Sequence, residues 1–475
     1  MSRRIPFFFT NMPLMENQNK YNSLRQQYPE FCFNSFSYSI EDEGLTMKFN
    51  FSAGDIHFEP CAKIPNRKFL NFSKLSAEQY NLLVFQIGMV ELVSYWKCVC
   101  SPKVIVKPFK LTKSQIAFWK KLYFNGLGEF FYINGISASR DDFMDIVCES
   151  NTTLSVCDFE LEDKFLVPIG GGKDSVVTLE ILRNGSYDLR PLIMNPRGAT
   201  VQCAEKAGFS KDDFFEINRT IDSNLLKLNA EGCLNGHTPF SAMLAFYTLL
   251  ASALTGYKNI ALSNENSANE ATVIGTEVNH QYSKSLEFEN DFRNYVAHFV
   301  SPNFNYFSFL RPLTELQIAM LFSQYTQYFD VFRSCNAGSK QNIWCGNCPK
   351  CLFAYIILSP FIEPKVLENI FGKNLLNDSN LQTYFDELIG KSETKPFECV
   401  GTIDEVNTAL TLTLSRFYKN TEPPILLKNY KEGNVTTSLS GFFDEHNLSP
   451  KLRISLEIAV SKTFYSLDFE ELERN

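Results

Sequence analysis

The sequence lacks any run of basic residues, and acidic side chains outnumber basic ones. Its 475 residues contain 45 Lys and Arg against 53 Asp and Glu, which gives a formal net charge of −8. Proteins that grip a nucleic-acid backbone usually present a basic face, so RNA or DNA is a poor candidate for the main partner. A local basic pocket for a single nucleotide is still compatible with this balance.

The sequence also has no internal repeat, no low-complexity tract and no evident secretory leader. The apolar patch in residues 1–15, MSRRIPFFFTNMPLM, is too short for a signal peptide and is interrupted by Asn-Met-Pro. Residues 238–257 carry no formal charge. They contain Ser, Thr and Tyr and follow a Thr-Pro helix start, so we predict a helix buried in the core and not a membrane span.

The 13 cysteines are odd in number, and most stand alone in apolar surroundings, as Cys98 and Cys148 do. This usage is typical of reduced thiols in a cytoplasmic protein. With 44% hydrophobic and 21% charged residues, the chain has the composition of an ordinary folded protein. We therefore expect a cytoplasmic protein without a nucleic-acid or membrane partner.

The length of the chain indicates two or three domains. Residues 1–150 are interpreted as an N-terminal α+β domain without metal or nucleophile spacing, and residues 361–475 as a mixed C-terminal region. Between 160 and 360 strands and helices alternate, which predicts an α/β, Rossmann-like domain with a parallel sheet and helices on both faces. The predicted strands are 164–169, 189–195, 213–218, 259–265 and 306–315, and the predicted helices are 175–184, 199–208, 239–256, 285–300 and 316–332.

A glycine-rich turn joins the first predicted strand of this domain to its first helix. It reads Gly170-Gly171-Gly172-Lys173-Asp174-Ser175. Such a turn collects backbone N–H groups and a helix N-terminus at one place, which makes an anion site, and glycine allows the ligand to come close. The turn is neither a Walker A loop, since Asp follows the Lys, nor a GxGxxG fingerprint.

The turn resembles the pyrophosphatase loop of the PP-loop superfamily, S-G-G-x-D-S, with Gly170 in place of the first Ser. The resemblance implies that the loop holds the ATP β- and γ-phosphates, with AMP transferred to a substrate oxygen and pyrophosphate released. Asp174 would then be a partner of Mg²⁺. The alternative is a glycine turn that binds nothing. The candidate nucleotide-binding residues are Gly170, Gly171, Gly172, Lys173, Asp174, Ser175 and Asn195, the last at the end of the next strand.

Four cysteines, Cys335, Cys345, Cys348 and Cys351, follow the last predicted helix of the domain with the spacing C-x9-C-x2-C-x2-C. This spacing is typical of a structural four-thiolate zinc site. An iron–sulfur cluster and unliganded thiols are the alternatives. The arrangement is similar to that of the 7-cyano-7-deazaguanine synthase branch of the PP-loop enzymes.

Two polar loops are candidates for the substrate side. One precedes the uncharged helix and the other follows the strand 259–265. PP-loop enzymes use loops at these two places for the nucleotide and the second substrate, whereas helix capping and a solvated turn are the alternative interpretations. Candidate catalytic residues are Asp174, Cys233, His237 and His280; candidate substrate-binding residues are Asn264, Glu265, Asn266 and Lys284, with Asn235, Thr238 and Glu270 nearby.

Within the superfamily, the chain resembles the UDP-N-acetylmuramoyl-L-alanyl-L-glutamate epimerases of the MurL type. The segments that carry the resemblance are VPIGGGKDSVVTLEIL, GHTPFSA, SNENSANE, WCGNCPKCLFAYIILSPF, KPFECVGT and, near the N-terminus, IGMVELVSYWK. The resemblance implies that ATP activates the terminal L-Glu of UDP-MurNAc-L-Ala-L-Glu as an acyl-adenylate. The product would carry D-Glu, with AMP and pyrophosphate released, as a step in peptidoglycan precursor synthesis.

The implied cofactors are ATP, Mg²⁺ and a structural Zn²⁺. Two other functions stay open at this point. One is a nucleobase- or tRNA-modifying ligase like the deazaguanine synthase, against which the acidic charge counts. The other is an inactive, nucleotide-sensing or structural protein, against which the intact Asp174 and Ser175 count.

Overall fold

The computed structural model describes residues 14–467 except 274, 277 and 432–434, so most of the apolar N-terminal patch lies outside it. The strands are β1 Glu30–Glu41, β2 Gly44–Ala53, β3 Ile56–Phe58, β4 Cys61–Pro65, β5 Lys103–Val106, β6 Asp145–Cys148, β7 Glu162–Pro168, β8 Leu189–Met194, β9 Phe215–Thr220, β10 Tyr257–Leu262 and β11 Asn305–Ser308. The helices are α1 Leu14–Gln27, α2 Ala77–Trp96, α3 Lys113–Gly126, α4 Gly128–Ile133, α5 Lys173–Asn184, α6 Gly198–Lys206, α7 Ser223–Ala230, α8 Phe240–Thr255, α9 Leu286–Phe299, α10 Glu315–Phe322, α11 Pro349–Leu358, α12 Pro364–Phe371, α13 Gln382–Leu388, α14 Ile403–Thr413 and α15 Pro450–Ser466.

One sheet runs through the N-terminal two thirds of the chain. Its strand order is β11-β10-β7-β8-β9-β4-β2-β1-β5-β6, and β3 pairs with β2. The five strands from β11 to β9 are parallel, as the alternation of strands and helices predicted. Strand β4 joins the edge of β9 in antiparallel orientation, with Cys61 opposite Thr220 and Lys63 opposite Asn218. The N-terminal strands therefore extend the sheet of the Rossmann-like part, while the predicted domain boundaries stay a prediction.

Helices cover both faces of the parallel strands. Along β7, Phe165 and Val167 point into one hydrophobic core and Leu166 into the other. This alternation follows from the two-residue repeat of a strand. Helices α2, α3, α8 and α9 contribute to the core on the Leu166 side, and α5, α10 and α11 to the core on the other side. The predicted α/β class with helices on both faces is confirmed.

The uncharged segment 238–257 forms helix α8, which is buried along almost its whole length against α2 and the sheet. The prediction of a core helix is therefore confirmed. Among the described residues, no helix combines the length and the apolar character that a bilayer crossing requires.

The last predicted strand and helix are shorter than their patterns indicated. Strand β11 ends at Ser308, because the fully buried Arg311 and the following Pro312 turn the chain away from the sheet. Helix α10 begins at a capping box between Thr314 and Gln317 and ends at Phe322 instead of continuing to 332. Beyond Phe322 the chain continues only as a short 3₁₀ turn at 326–328.

A buried ion pair fastens the N-terminal segment to the parallel sheet. Glu91, in the middle of α2, accepts hydrogen bonds from Arg219 Nε at 2.6 Å and Arg219 Nη2 at 2.7 Å. The Tyr247 hydroxyl of α8 donates a third bond to the same carboxylate at 3.0 Å. The Glu91 carboxylate is thus satisfied from two elements, and removing one partner would leave a buried charge uncompensated.

We expect Arg219→Met to lower the free energy of unfolding by about 3–5 kcal/mol, because Glu91 would keep its charge in the core without a counterion. The double variant Glu91→Gln/Arg219→Met should recover part of this loss. The measurement is urea unfolding followed by circular dichroism. Lys103→Met, which breaks the exposed pair with Glu30, is the control and should cost much less. Equal losses in the two single variants would contradict the prediction.

Candidate active site

The glycine loop lies between β7 and α5, as predicted. Gly171 has φ +81°, and a Cβ there would come within 2.8 Å of the carbonyl carbon of Ala199, so only glycine fits. In the described part of the chain, no side chain caps the N-terminus of α5 at Gly172. The first N–H groups of the helix are therefore available to an anion. At Gly170 an added Cβ would meet no described atom within 4 Å, so crowding does not exclude the superfamily's Ser.

Opposite charges are buried directly behind this loop. The Lys173 ammonium donates hydrogen bonds to the carboxylates of Asp174 and Glu315. Burial alone would lower the pKa of Lys173, but these two carboxylates raise it. Burial alone would raise the pKa of Asp174, but Lys173, Lys350 and Lys284 lower it. Asp174 is therefore an anion in the first turn of α5, beside the free N–H groups.

The four cysteines of the predicted zinc site come together. Their sulfurs lie within 4.8 Å of one another, with Cys335–Cys348 at 3.8 Å, Cys345–Cys351 at 3.7 Å and Cys348–Cys351 at 3.5 Å. A tetrahedral ion with Zn–S bonds of about 2.3 Å requires sulfurs about 3.8 Å apart, so the geometry fits one zinc ion. In an iron–sulfur cluster the thiolates bind several iron atoms and would spread further.

The segment 333–351, which contains the four cysteines and is named the cysteine loop, is in direct contact with the glycine loop. The backbone N–H of Arg333 donates to the carbonyl of Gly171 at 2.8 Å, and Ser334 packs against Gly172. Lys350 lies between two of the cysteines and lowers the pKa of Asp174. A metal ion at the four cysteines would thus fix Arg333 and Ser334, which contact the glycine loop, and Lys350, which acts on the charge of Asp174.

The structure brings the two predicted histidines together. The rings of His237 and His280 are 4.3 Å apart, and His280 Nδ1 bonds the Glu129 carboxylate, which lies 3.8 Å from His237 Nδ1. Burial alone would lower the pKa of His280, but hydrogen bonds to Cys399 and Glu129 raise it to about 9. Burial, His280 and Lys97 lower the pKa of His237 to about 3. One imidazole is therefore charged at neutral pH and the other is not.

Sequence analysis missed Cys399, which lies beside the histidines. Lys284 Nζ is 3.1 Å from its sulfur, and Lys350 donates to its carbonyl. Burial alone would raise the pKa of this thiol, but Lys284, His280 and Lys350 lower it to about 5. The signal was present in KPFECVGT, a segment that carried the family resemblance, but Cys399 looked like any other isolated cysteine.

Sequence analysis also missed Glu129, since residues 1–150 showed no readable chemistry. That interpretation is incomplete, because this segment supplies Glu129 from α4 to the histidines. Lys97, at the end of α2, bonds the carbonyl of Gly236 next to His237. Lys97 and Lys284 place two ammonium groups near the histidines and Glu129, which disfavours a metal cation there.

The predicted substrate residues lie in one loop after β10. The guanidinium of Arg311, buried beneath this loop, donates to the carbonyls of Glu265 and Lys284 at 2.5 Å each and so fixes both ends of the loop. Asn264 donates to Ser308 at 3.1 Å. The Glu265 carboxylate caps a 3₁₀ turn, and the side chains of Asn266 and Glu270 bond Asn269 and Lys395.

Two predicted residues lie apart from these groups. The Asn195 side chain accepts a hydrogen bond from the backbone N–H of Arg219 at 2.7 Å, which ties β8 to β9. Cys233 packs at the edge of the core near Lys20, and burial raises the pKa of its thiol. Among the described residues, no hydrogen bond joins Asn195 to the glycine loop or Cys233 to the histidines. Their roles stay predictions.

A cavity of about 300 Å³ adjoins the loop that carries His237. Its lining includes Lys97, Arg219, Asn235 and Thr238. Another cavity, of about 640 Å³, lies on the far side of the molecule between α15, α5 and α10. Only the first is placed to receive part of a ligand that also reaches His237.

Comparison with known proteins gives a consistent result over most of the chain. A sequence model described as the MurL N-terminal domain matches residues 22–309, and one described as the MurL C-terminal domain matches residues 331–436. A relative from Xanthomonas oryzae pv. oryzae is 33% identical over 401 residues, which is 82% of this chain and 87% of that protein. A relative from Micromonospora is 36% identical over 333 residues, 69% of this chain and 73% of its own. Both are named UDP-N-acetyl-alpha-D-muramoyl-L-alanyl-L-glutamate epimerase.

We expect elemental analysis of the purified protein to find about one zinc per chain. Cys348→Ser should lose most of this zinc and melt several degrees lower, because a structural ion contributes its binding energy to folding. Cys157→Ser, which changes a cysteine outside the cluster, is the control and should keep the metal. A metal-free parent with four titratable thiols at these positions would contradict the prediction.

Proposed function

The chain belongs to the MurL family, and on that premise we propose that it is an epimerase of peptidoglycan precursor synthesis that consumes ATP. It would convert the terminal L-Glu of UDP-MurNAc-L-Ala-L-Glu to D-Glu. The names of its relatives support the substrate and the epimerisation. The observation that supports the use of ATP is the glycine loop, where uncapped helix N–H groups meet an ionised Asp174.

The residues of the loop fit the triphosphate of ATP. The N–H groups at the start of α5 would bind phosphate oxygens, and Asp174 would hold Mg²⁺, which offsets the charge of the phosphates. Lys284 and Lys350, whose charges both act on Asp174, would face the anionic end of the substrate. Bringing a carboxylate to the α-phosphate requires such cations, because the two reactants repel each other.

Activation by ATP explains how the α-proton of glutamate becomes removable. While the carboxylate of glutamate is free, the neighbouring α-proton is hard to remove, since the resulting carbanion would lie beside a full negative charge. Attack of the carboxylate on the α-phosphate releases pyrophosphate and forms an acyl-adenylate, which is neutral at the acyl carbon. A base can then take the α-proton, and the centre is reprotonated from the other face. Hydrolysis of the adenylate releases AMP and makes the conversion irreversible.

The proposed roles of the metals differ. Magnesium would act with ATP at the glycine loop. Zinc at the four cysteines would be structural, because four protein thiolates complete a tetrahedral shell and leave no position for substrate.

We expect Asp174→Asn to lower the release of AMP from ATP and UDP-MurNAc-L-Ala-L-Glu by at least about 100-fold, because the amide cannot replace the anion. Gly171→Ala should have a similar effect, because its Cβ would collide with the backbone at Ala199. Gly170→Ser is the matched control and should keep the activity, since its side chain meets open space. AMP release that is equal in Asp174→Asn and the parent would refute the role of the loop.

Turnover in deuterated water should place deuterium on the α-carbon of the product glutamate, and only when ATP is present. The physical reason is that the α-proton is exchanged with solvent only after the carboxylate has been activated. Mass spectrometry and chiral chromatography of the released glutamate measure both results. Release of AMP with unchanged, unlabelled L-Glu would instead favour a ligase of the deazaguanine-synthase kind.

A further inference from the structure

We propose that Cys399 transfers the α-proton during epimerisation, with Lys284, His280 and Glu129 holding its sulfur in place. The inference rests on the proposed function and deepens it, since the acid–base group is otherwise unassigned. It makes Cys399 a catalytic residue and Glu129 a positioning residue.

The sulfur of Cys399 is set among cations. Lys284 Nζ lies 3.1 Å from it, and the nearby His280 ring acts against burial to lower the pKa of the thiol. Lys350 bonds the carbonyl of the same residue, and Glu398 is the nearby acid. With three cations around the sulfur, the thiolate is favoured over the thiol, and the thiolate is the form that can accept a proton.

Glu129, His280 and Cys399 lie next to one another as a carboxylate, an imidazole and a thiol. The carboxylate of Glu129 bonds His280 Nδ1, which orients the ring and favours the imidazolium. The same ring acts on the Cys399 thiol and lowers its pKa. Catalytic cysteines are commonly found beside an imidazole that a third polar group, such as a carboxylate, holds in orientation. Here the three members come from α4, from the loop after β10 and from the C-terminal third of the chain.

Two lysines connect this thiolate to the glycine loop. Lys284 touches the Cys399 sulfur and lowers the pKa of Asp174, and Lys350 touches the Cys399 carbonyl and does the same. A glutamate whose carboxyl group is adenylated at the loop would therefore have its α-carbon on the side of Cys399. The lysines would also stabilise the negative charge that develops on the enolate oxygen.

Four other cysteines outside the metal cluster contrast with Cys399. Cys98, Cys100 and Cys203 are buried in apolar cores, where burial raises the pKa of each thiol. Cys233 is shifted in the same direction. Cys399 differs from these four because an ammonium group, that of Lys284, lies 3.1 Å from its sulfur.

The proton transfer balances as follows. The Cys399 thiolate takes the α-proton of the glutamyl adenylate and becomes a thiol, while the C–H electron pair moves into the enolate. Water supplies the proton that enters the opposite face and restores the acyl-adenylate as the D-epimer. The thiol then gives its proton back to water, so the thiolate is regenerated.

The test separates adenylation from proton transfer. Cys399→Ser, Cys157→Ser as matched control, and the parent are compared in two assays with UDP-MurNAc-L-Ala-L-Glu: exchange of labelled pyrophosphate into ATP, and deuterium uptake at the α-carbon. We expect Cys399→Ser to exchange pyrophosphate within about threefold of the parent but to take up deuterium about 10²- to 10⁴-fold more slowly, the usual range for a lost acid–base group. Cys157→Ser should match the parent in both.

Each other outcome has one meaning. Deuterium uptake by Cys399→Ser at the parent rate overturns the proposal, and so does a parallel loss of both activities, which would place Cys399 in adenylation or folding. A parent that exchanges no pyrophosphate would refute the proposed function itself.

A second measurement does not depend on turnover. Iodoacetamide at pH 6 should label Cys399 faster than Cys233 in the parent, because only a thiolate reacts. Glu129→Gln should slow this labelling and shift the acidic limb of the deuterium-uptake profile to higher pH, since a less basic His280 stabilises the thiolate less. Equal labelling of the two cysteines would overturn the proposal.

Discussion

Charge neutralisation at the carboxyl ends of the parallel strands is the constraint on which the site depends. Lys173 lies between Asp174 and Glu315, and its charge outweighs the burial that would otherwise raise the pKa of Asp174. Burial still raises the pKa of Glu315 to about 8, so the ammonium is chiefly the counterion of Asp174. Glu315 begins helix α10, so the same ammonium fixes α10 against the glycine loop. The loop owes its open N–H groups to glycine and its position to this buried cation.

Groups from distant parts of the sequence meet at this edge of the sheet. Glu129 arrives from the N-terminal segment, His237 and His280 from loops of the Rossmann-like part, and Cys399 from beyond the cysteine loop. Parallel strands make this possible, because their carboxyl ends all open on one side. The proposed substrate is larger than a nucleotide, and an edge that several segments can reach suits it.

Local patterns predicted the parts of the site that are continuous in sequence. The glycine loop and the cysteine spacing could be read because strand, turn and helix signals stand next to each other. Cys399 and Glu129 could not be read, since their contacts with Lys284 and His280 join residues more than a hundred positions apart. The early end of β11 could not be read either, because the apolar pattern continues past Ser308 and does not show that Arg311 is buried.

The antiparallel pairing of β4 with β9 has a consequence for how the chain can be divided. Without β4, the outer edge of β9 would expose unpaired backbone N–H and C=O groups. Such an edge can pair with a strand of another molecule. A gene fragment that starts near residue 160 would therefore encode a protein prone to aggregate, however complete its glycine loop. The two segments share one sheet, so removing either one exposes a strand edge of the other.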